Sequence, residues 1–161
     1  MDLHRVHYLD ASVLVKLVVQ EDGTNAIKEY MRSERTSGFH ATSLCFAEAL
    51  GVLKYKYLGG RDRDENAYFT AGDELSRCIN DDIELVDLNI ADSAIFDEVE
   101  KIAKQYRLDI VDAHQIVTIK KDPFSGLPHS RPILVTADSR LAEAACKEGL
   151  IVWNCLKGDP P

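Results

Sequence analysis

The stretch RVHYLDAS, residues 5 to 12, is the part of the sequence that first indicates the fold. Its first five residues are predicted to form a short strand that ends at Asp10. The apolar stretch from Ser12 to Val19 follows, and we predict a helix there because Leu14 and Leu17 lie on one face. A strand therefore passes into a helix through an acidic residue, as in the repeating unit of an α/β fold.

The rest of the chain continues this alternation. Further strands are predicted over residues 38–41, 83–88, 132–136 and 150–153, and further helices over 25–35, 43–58, 63–80, 91–106, 109–120 and 139–147. Residues 123–132 contain three prolines and a glycine and are predicted to form a loop. Strands that alternate with helices predict an α/β fold, in which a mainly parallel sheet has helices on both faces. We find no repeat or linker and expect one domain over residues 1–161.

Composition limits the possible functions. The chain has 161 residues, of which 45% are hydrophobic, and this is enough for one globular domain with a full core. A net charge of -8 argues against a protein that coats nucleic-acid phosphates non-specifically. It does not exclude an enzyme that holds cations with carboxylates. The N-terminus is too polar for a signal peptide and no apolar run is long enough to span a bilayer, so we expect a cytoplasmic protein.

Two aspartates follow predicted strands directly. Asp10 and Asp138 lie at the C-terminal ends of their strands, and this edge of a parallel sheet is where ligands usually bind. Both residues also precede a predicted helix, where aspartate is a favoured N-cap. Capping alone would explain either position. One carboxylate oxygen could nevertheless cap the helix while the other binds a ligand.

Two further acids lie in apolar surroundings. Within the helix predicted over residues 43–58, residues 44–53 are apolar on almost every side, so this stretch is predicted to be buried, and Glu48 within it needs a partner. That partner could be a lysine or an arginine, or the acid could have a function. Asp112 has similarly apolar neighbours. Asp109 precedes it by three residues on the same face and is the natural N-cap, which leaves Asp112 to be explained.

Four segments, taken together and in this order, resemble PIN-domain proteins, especially the toxin nuclease of VapBC-type toxin–antitoxin modules. The segments are YLDAS at 8–12, the run from Thr42 and Ser43 to Glu48 and Ala49, Asp112 with Ala113, and VTADSRLA at 135–142. The resemblance covers nearly the whole chain. It implies a three-layer α/β/α sandwich around a parallel sheet of four or five strands, ordered 3-2-1-4-5. One departure is the stretch from Lys120 to Arg131, which is longer than in compact members of the family.

The resemblance also implies a site and a function. Four residues fall on the acidic, metal-binding and catalytic positions of the family: Asp10, Glu48, Asp112 and Asp138. Ser12 and Thr136 fall on hydroxyl positions that support them. The implied activity is that of an endoribonuclease that hydrolyses RNA phosphodiester bonds with Mg²⁺ or Mn²⁺. The implied partners are an RNA substrate, a second copy of the chain in a homodimer, and a small antitoxin protein.

The chemistry of the residues agrees with such a site. Hard cations prefer oxygen ligands, and a bound cation activates water and neutralises charge that builds on a phosphate. Four carboxylates in one cleft should repel each other, so without a cation some should remain protonated. Six basic residues are either contacts to an RNA backbone or ordinary solvated charges: Lys16, Lys54, Lys56, Arg61, Arg63 and Arg140.

Other α/β proteins fit the sequence less well. A phosphatase of the haloacid-dehalogenase type needs a second aspartate two positions after Asp10, where this chain has Ser12. A receiver domain would leave Glu48 and Asp112 without a role. A dinucleotide-binding protein needs GxGxxG after the first strand, and the motif is absent there. The alternative of a different class is a non-catalytic PIN-like scaffold that binds RNA or protein.

Overall fold

The fold is given by a computed structural model, which describes residues 5–34, 37–127 and 131–161. Within these ranges the chain forms five strands and seven helices. The strands are β1 (Val6–Leu9), β2 (Gly38–Ala41), β3 (Ile83–Leu85), β4 (Ile133–Thr136) and β5 (Ile151–Asn154). The helices are α1 (Ala11–Val18), α2 (Thr24–Ser33), α3 (Ser43–Leu58), α4 (Glu65–Asp82), α5 (Ser93–Tyr106), α6 (Ile110–Lys120) and α7 (Ser139–Lys147).

The five strands form one parallel sheet in the order β3-β2-β1-β4-β5. The predicted α/β class and strand order are therefore confirmed. From β1 the chain runs outward through β2 to β3. It then crosses back to the other side of β1, where it forms β4 and β5. That reversal is the point at which open parallel sheets form their ligand sites.

Helices cover both faces of the sheet and give the predicted three layers. Alternate residues of a strand point to opposite faces, so Leu9 packs into one core and Tyr8 into the other. The first core contains side chains of α1 to α4, and the second contains side chains of α5 to α7. None of the helices in the described ranges is both long enough and apolar enough to cross a membrane.

Strand β3 is shorter than the predicted 83–88. The last paired residues of β2 and β3 are Ala41 and Leu85, and the amide of Val86 donates to the carbonyl of Ala41 at 2.9 Å. After Ala41 the neighbouring strand turns into α3, whose first turn is capped by Thr42. Residues 87 and 88 therefore have no strand beside them to pair with. The end predicted for α2, at residue 35, lies outside the described residues.

Helix α3 is not buried on all sides, so that prediction from its apolar sequence was wrong. Only one stripe of it is fully covered, formed by Cys45, Ala49 and Leu53 at four-residue intervals. Outside this stripe Val52 is 43% exposed and Tyr55 is 80% exposed. The reason is that α3 packs mainly against α1 and α4, and these leave part of its surface open.

The described part of the predicted loop 123–132 has no helix or strand, as expected. Its beginning is tied to the sheet by Tyr8, whose hydroxyl donates to Asp122 at 2.6 Å inside the protein. The other oxygen of Asp122 accepts the amide of Phe124 at 2.7 Å. A long connection after α6 is thus anchored where it leaves the helix.

Candidate active site

Asp10 is the most firmly held of the candidate acids. It follows β1, caps α1, and is only 3% exposed. Its Oδ1 accepts the hydroxyl of Ser12 at 2.7 Å and the amide of Val13 at 2.9 Å. Its Oδ2 accepts the hydroxyl of Thr136 at 2.5 Å. The carboxylate is buried, yet each of its oxygens is satisfied.

The same two hydroxyls connect Asp10 to the end of β4. Ser12 Oγ accepts the amide of Ala137 at 2.9 Å, and Thr136 Oγ1 accepts the amide of Asp138 at 2.8 Å. Each hydroxyl thus donates to Asp10 and accepts from the chain that leads into α7. The position of Asp138 relative to Asp10 is fixed through these side chains as well as through the β1–β4 pairing.

Asp138 is the N-cap of α7 and uses one oxygen for this. Its Oδ1 accepts the amides of Arg140 at 2.7 Å and Leu141 at 3.1 Å. No hydrogen bond to Oδ2 occurs within the described residues. The carboxylate is half-buried. Helix capping therefore accounts for one oxygen of Asp138 and leaves the second available.

At α6 the two aspartates have different environments. Asp109 is exposed and caps the helix, because its Oδ1 accepts the amide of Asp112 at 2.9 Å. Asp112 is the third residue of the helix and is half-buried. Among residues 5–34, 37–127 and 131–161, no hydrogen bond or ion pair reaches its carboxylate. The positive end of the helix dipole is the only favourable partner that we identify for it.

Glu48 is half-buried on α3, and the ion pair considered from the sequence is not present in the described part of the chain. No lysine or arginine there lies within ion-pairing distance of its carboxylate. Its charge instead helps to raise the pKa of Asp112. Glu48 and Asp112 are thus two partly buried carboxylates without a counter-charge.

Burial and mutual repulsion raise the pKa values of these acids. Burial raises the pKa of Asp112 to about 7, with further contributions from the charges of Asp109, Asp10, Glu48 and Asp138. The pKa of Glu48 is raised first by burial and then by the charges of Asp109, Asp10 and Asp138. Burial also raises the pKa of Asp10, although its three hydrogen bonds oppose this. The structure therefore brings all four sequence-predicted acids into one electrostatic cluster, together with Asp109.

The donor set of this cluster fits a hard divalent cation, since its acids and the hydroxyls bonded to Asp10 offer oxygen ligands. It is an open arrangement. Within the described residues, no three acidic, histidine or cysteine side chains lie close enough to form a ready-made metal site. The repulsion that raises the pKa values also favours such separation when no cation is bound.

Sequence reasoning missed two contributors. Asp109 was assigned only to capping, yet its charge is the largest charge contribution to the pKa shifts of Asp112 and Glu48. Gln115 is fully buried, and its Nε2 donates to the carbonyl of Leu9 at 3.1 Å, directly before Asp10. Its Oε1 is buried without a hydrogen bond in the described residues. The sequence signal that could have pointed to Gln115 is an amide side chain about one turn after Asp112 in an otherwise apolar helix.

Of the six basic candidates, Lys16 is neither an RNA contact nor a solvated charge. It is 6% exposed, and its Nζ donates to Glu21 Oε1 at 2.7 Å. Lys56 lies 3.7 Å from the other oxygen of Glu21 and remains partly exposed. The other four are exposed: Lys54, Arg61, Arg63 and Arg140.

Comparisons with known proteins agree with this fold. The PIN domain family model matches residues 7–147. The crystal structure of PAE2754 from Pyrobaculum aerophilum is similar, with a TM-score of 0.60 and 23% identity over 92% of this chain and 89% of that one. The structure of VapBC2 from Rickettsia felis, bound to a DNA fragment from their promoter, has a TM-score of 0.54 and 14% identity. It covers 92% of this chain and 97% of that one. No match was found among curated proteins.

Proposed function

This chain belongs to the PIN domain family, and we propose that it is a metal-dependent endoribonuclease that hydrolyses RNA phosphodiester bonds. Membership supports a nuclease or toxin-like role. The observation that favours catalysis is the unpaired charge of the cluster: Asp112 and Glu48 have raised pKa values and no cation beside them in the described residues. A protein that used these acids only for stability would be expected to pair them.

The residues proposed to hold Mg²⁺ or Mn²⁺ are Asp10, Glu48, Asp112 and Asp138. When bound, such a cation supplies an activated water molecule and neutralises charge that develops on the phosphate. Ser12 and Thr136 orient Asp10 and keep its two oxygens in place. Because the pKa of Asp112 is about 7, this acid is partly protonated at neutral pH. We therefore expect cation binding to release protons and to weaken as the pH falls.

The proposed partners follow from the cluster and from the family. A strongly acidic cleft attracts a basic peptide, so a small antitoxin whose tail covers the cleft is a partner that fits. One similar structure is of VapBC2 bound to promoter DNA. We also propose a homodimer, a cytoplasmic location, and a single domain over residues 1–161. Sedimentation of the natively expressed protein, with and without co-purified partners, tests the assembly.

The test of catalysis compares helix caps inside and outside the cluster. Asp10→Asn and Asp138→Asn should each abolish cleavage of RNA in Mg²⁺ while the protein stays folded, because asparagine caps a helix about as well as aspartate. Asp92→Asn is the matched control, since Asp92 caps α5 in the same way, with its Oδ1 accepting the amide of Ala94 at 2.9 Å. This control should keep full activity.

Three results would contradict the proposal. Full activity of both cluster variants would show that the two aspartates are only caps. Cleavage that continues undiminished after exhaustive chelation would show that no divalent cation is used. A wild-type chain that binds RNA but cuts none in Mg²⁺ or Mn²⁺ would favour the second candidate, a non-catalytic scaffold.

A further inference from the structure

A pocket of about 420 Å³ opens beside the acidic cluster, between α1 and α3. Of its lining residues, Glu48 is a cluster acid and Ser12 donates to the cluster acid Asp10, so pocket and cluster are continuous. Most of its lining is apolar, with Val15 on α1 and Val52 on α3. Tyr55 and Lys56 also line the pocket, about two turns of α3 beyond Glu48.

We propose that this pocket holds a base of single-stranded RNA, next to the nucleotide whose phosphate lies at the acidic cluster. The inference rests on the proposed nuclease function, because it requires an RNA strand to cross the cluster. It adds a binding site, and Tyr55 as the residue on which the base stacks.

The exposed apolar surface of α3 supports a base as the occupant. Tyr55 is 80% exposed and Val52 is 43% exposed, so the described part of the chain leaves this surface of α3 largely open to solvent. A large aromatic ring left in solvent gains no packing energy within this fold. An aromatic side chain beside a backbone-binding site is the usual platform for an unpaired base, and stacking tolerates any base because each has a π-face.

The charges around the pocket also favour RNA. Glu21 lines the pocket, but both of its oxygens face lysines: Lys16 Nζ at 2.7 Å and Lys56 Nζ at 3.7 Å. Its negative charge is therefore compensated and does not repel a phosphate. The Lys56 side chain is 44% exposed and provides a cation at the rim. The remaining acid, Glu48, lies at the end of the pocket that joins the cluster.

A peptide is the competing occupant, since it too could place an apolar side chain between α1 and α3. The Lys56 cation at the rim favours RNA, because it attracts a phosphate and repels a basic tail of the kind proposed for the cleft. A strand held by its phosphate at the carboxylates must place its neighbouring nucleotides beside the cluster, and this pocket adjoins it there. A peptide would have no equivalent requirement for the aromatic ring of Tyr55.

The experiment measures binding, so that it does not depend on turnover. Oligomers of about eight nucleotides, a length within the range bound by single-stranded nucleic-acid sites, are labelled and titrated with the full-length protein in Ca²⁺. Each oligomer is checked to be intact at the end. One oligomer is single-stranded RNA and the other has the same backbone without bases. The variants are Tyr55→Ala, Tyr55→Phe, and Phe124→Ala as a matched control.

We expect Tyr55→Ala to raise the Kd for the RNA oligomer about tenfold, the size expected for one lost stacking contact. Tyr55→Phe should bind within about twofold of wild type, because it keeps the ring. Phe124→Ala removes another exposed aromatic, located after the far end of α6, and should have no effect. On the oligomer without bases, Tyr55→Ala and wild type should bind equally.

Several outcomes overturn the inference. If Tyr55→Ala binds RNA as tightly as wild type, the proposed base site is refuted. An equal loss of affinity for both oligomers also refutes it, because that loss would not depend on the bases. If Tyr55→Ala leaves RNA binding intact but no longer co-purifies with a partner protein, the pocket binds a peptide and not a base. The two proposals fail separately: a chain that cuts RNA without this Tyr55 dependence refutes only the pocket. A chain that shows the dependence but cuts no RNA refutes only the nuclease.

Discussion

Asp10 and Asp112 lie at the same edge of the sheet, yet the protein holds the two carboxylates in opposite ways. Asp10 is almost fully buried and receives hydrogen bonds from Ser12, Val13 and Thr136. Asp112 is half-buried, and no donor in the described residues reaches its carboxylate. Its neighbours Asp109 and Glu48 add negative charge instead.

The difference separates what the fold provides from what a ligand must provide. The hydrogen bonds of Asp10 fix its orientation before any cation arrives, so that half of the cluster is preorganised. On the α3 and α6 side, Glu48 and Asp112 raise the free energy of the cation-free protein, and a proton or a bound cation would relieve this. Variants on the Asp10 side should therefore destabilise the protein, and variants on the other side should stabilise it.

The largest effect is expected for Thr136→Val. Valine has a similar shape but cannot donate to Asp10 Oδ2 or accept the amide of Asp138, so a buried carboxylate loses a hydrogen bond. The free energy of unfolding should fall by about 2–3 kcal/mol, as is usual for a hydrogen bond to a charged group. Urea denaturation at neutral pH measures it.

Two controls make this result specific. Thr136→Ser keeps the hydroxyl and should recover most of the stability. Thr118→Val also removes a buried threonine hydroxyl, one that donates to the neutral carbonyl of His114 at 2.8 Å. It should cost about 1 kcal/mol. Equal losses for Thr136→Val and Thr118→Val would mean that Asp10 is not held by this hydroxyl in the way that the comparison requires.

The next effect has the opposite sign. Asp112 has a pKa of about 7 in the folded protein against an ordinary value of 3.8, so the folded state binds the proton more tightly than the unfolded state. The wild-type protein therefore loses stability as the pH rises from about 4 to about 7. Asp112→Asn cannot ionise, and without divalent cations it should be more stable than wild type by about 1–2 kcal/mol at pH values above about 7.

The pH dependence is the decisive part of that measurement. In chelator, the stability difference between Asp112→Asn and wild type should shrink to near zero by about pH 3, below the ordinary pKa of 3.8, where the carboxyl is neutral in both the folded and the unfolded protein. Saturating Mg²⁺ should stabilise wild type and not the variant, because a ligand that binds only the native state stabilises it. A difference that stays constant with pH would show that the carboxylate charge is not its cause.

The fold and most of the cluster could be predicted because their signals are local or come from the family. The strand and helix patterns indicated the α/β class, and the aspartates after β1 and β4 indicated the sheet edge. The order of the strands came from the family resemblance, since a strand's own residues do not say which neighbour it pairs with. Family membership and the strand order are confirmed.

What could not be predicted depends on contacts between distant elements. The exposure of Tyr55 is decided by which helices cover α3, and apolar composition does not record this. Lys16 is buried because Glu21, in the connection between α1 and α2, can pair with it. The end of β3 is set by where β2 stops. Each of these outcomes is a tertiary effect that local sequence patterns do not carry.

The smallest effects are expected for Asp109. It is relevant to both sides of the comparison, because it caps α6 and its charge repels the other acids of the cluster. Asp109→Ala should cost about 1 kcal/mol through loss of the cap. Asp109→Asn should keep the cap and most of the nuclease activity. It should also lower the pKa of Asp112 from about 7 towards its ordinary value, because Asp109 is the largest charge that raises it. Measuring the carboxyl titration of Asp112 in both proteins tests this.

The pair of asparagine variants then decides which aspartate serves the proposed cation site. Asp109 has Oδ1 committed to the amide of Asp112, while the Asp112 carboxylate has no hydrogen bond within the described residues. Asp112→Asn should therefore remove RNA cleavage and Asp109→Asn should not. An inactive Asp109→Asn beside an active Asp112→Asn would reverse the assignment. If both variants were inactive and Asp112 titrated unchanged in Asp109→Asn, Asp109 would act on the cation directly and not through the charge it places beside Asp112.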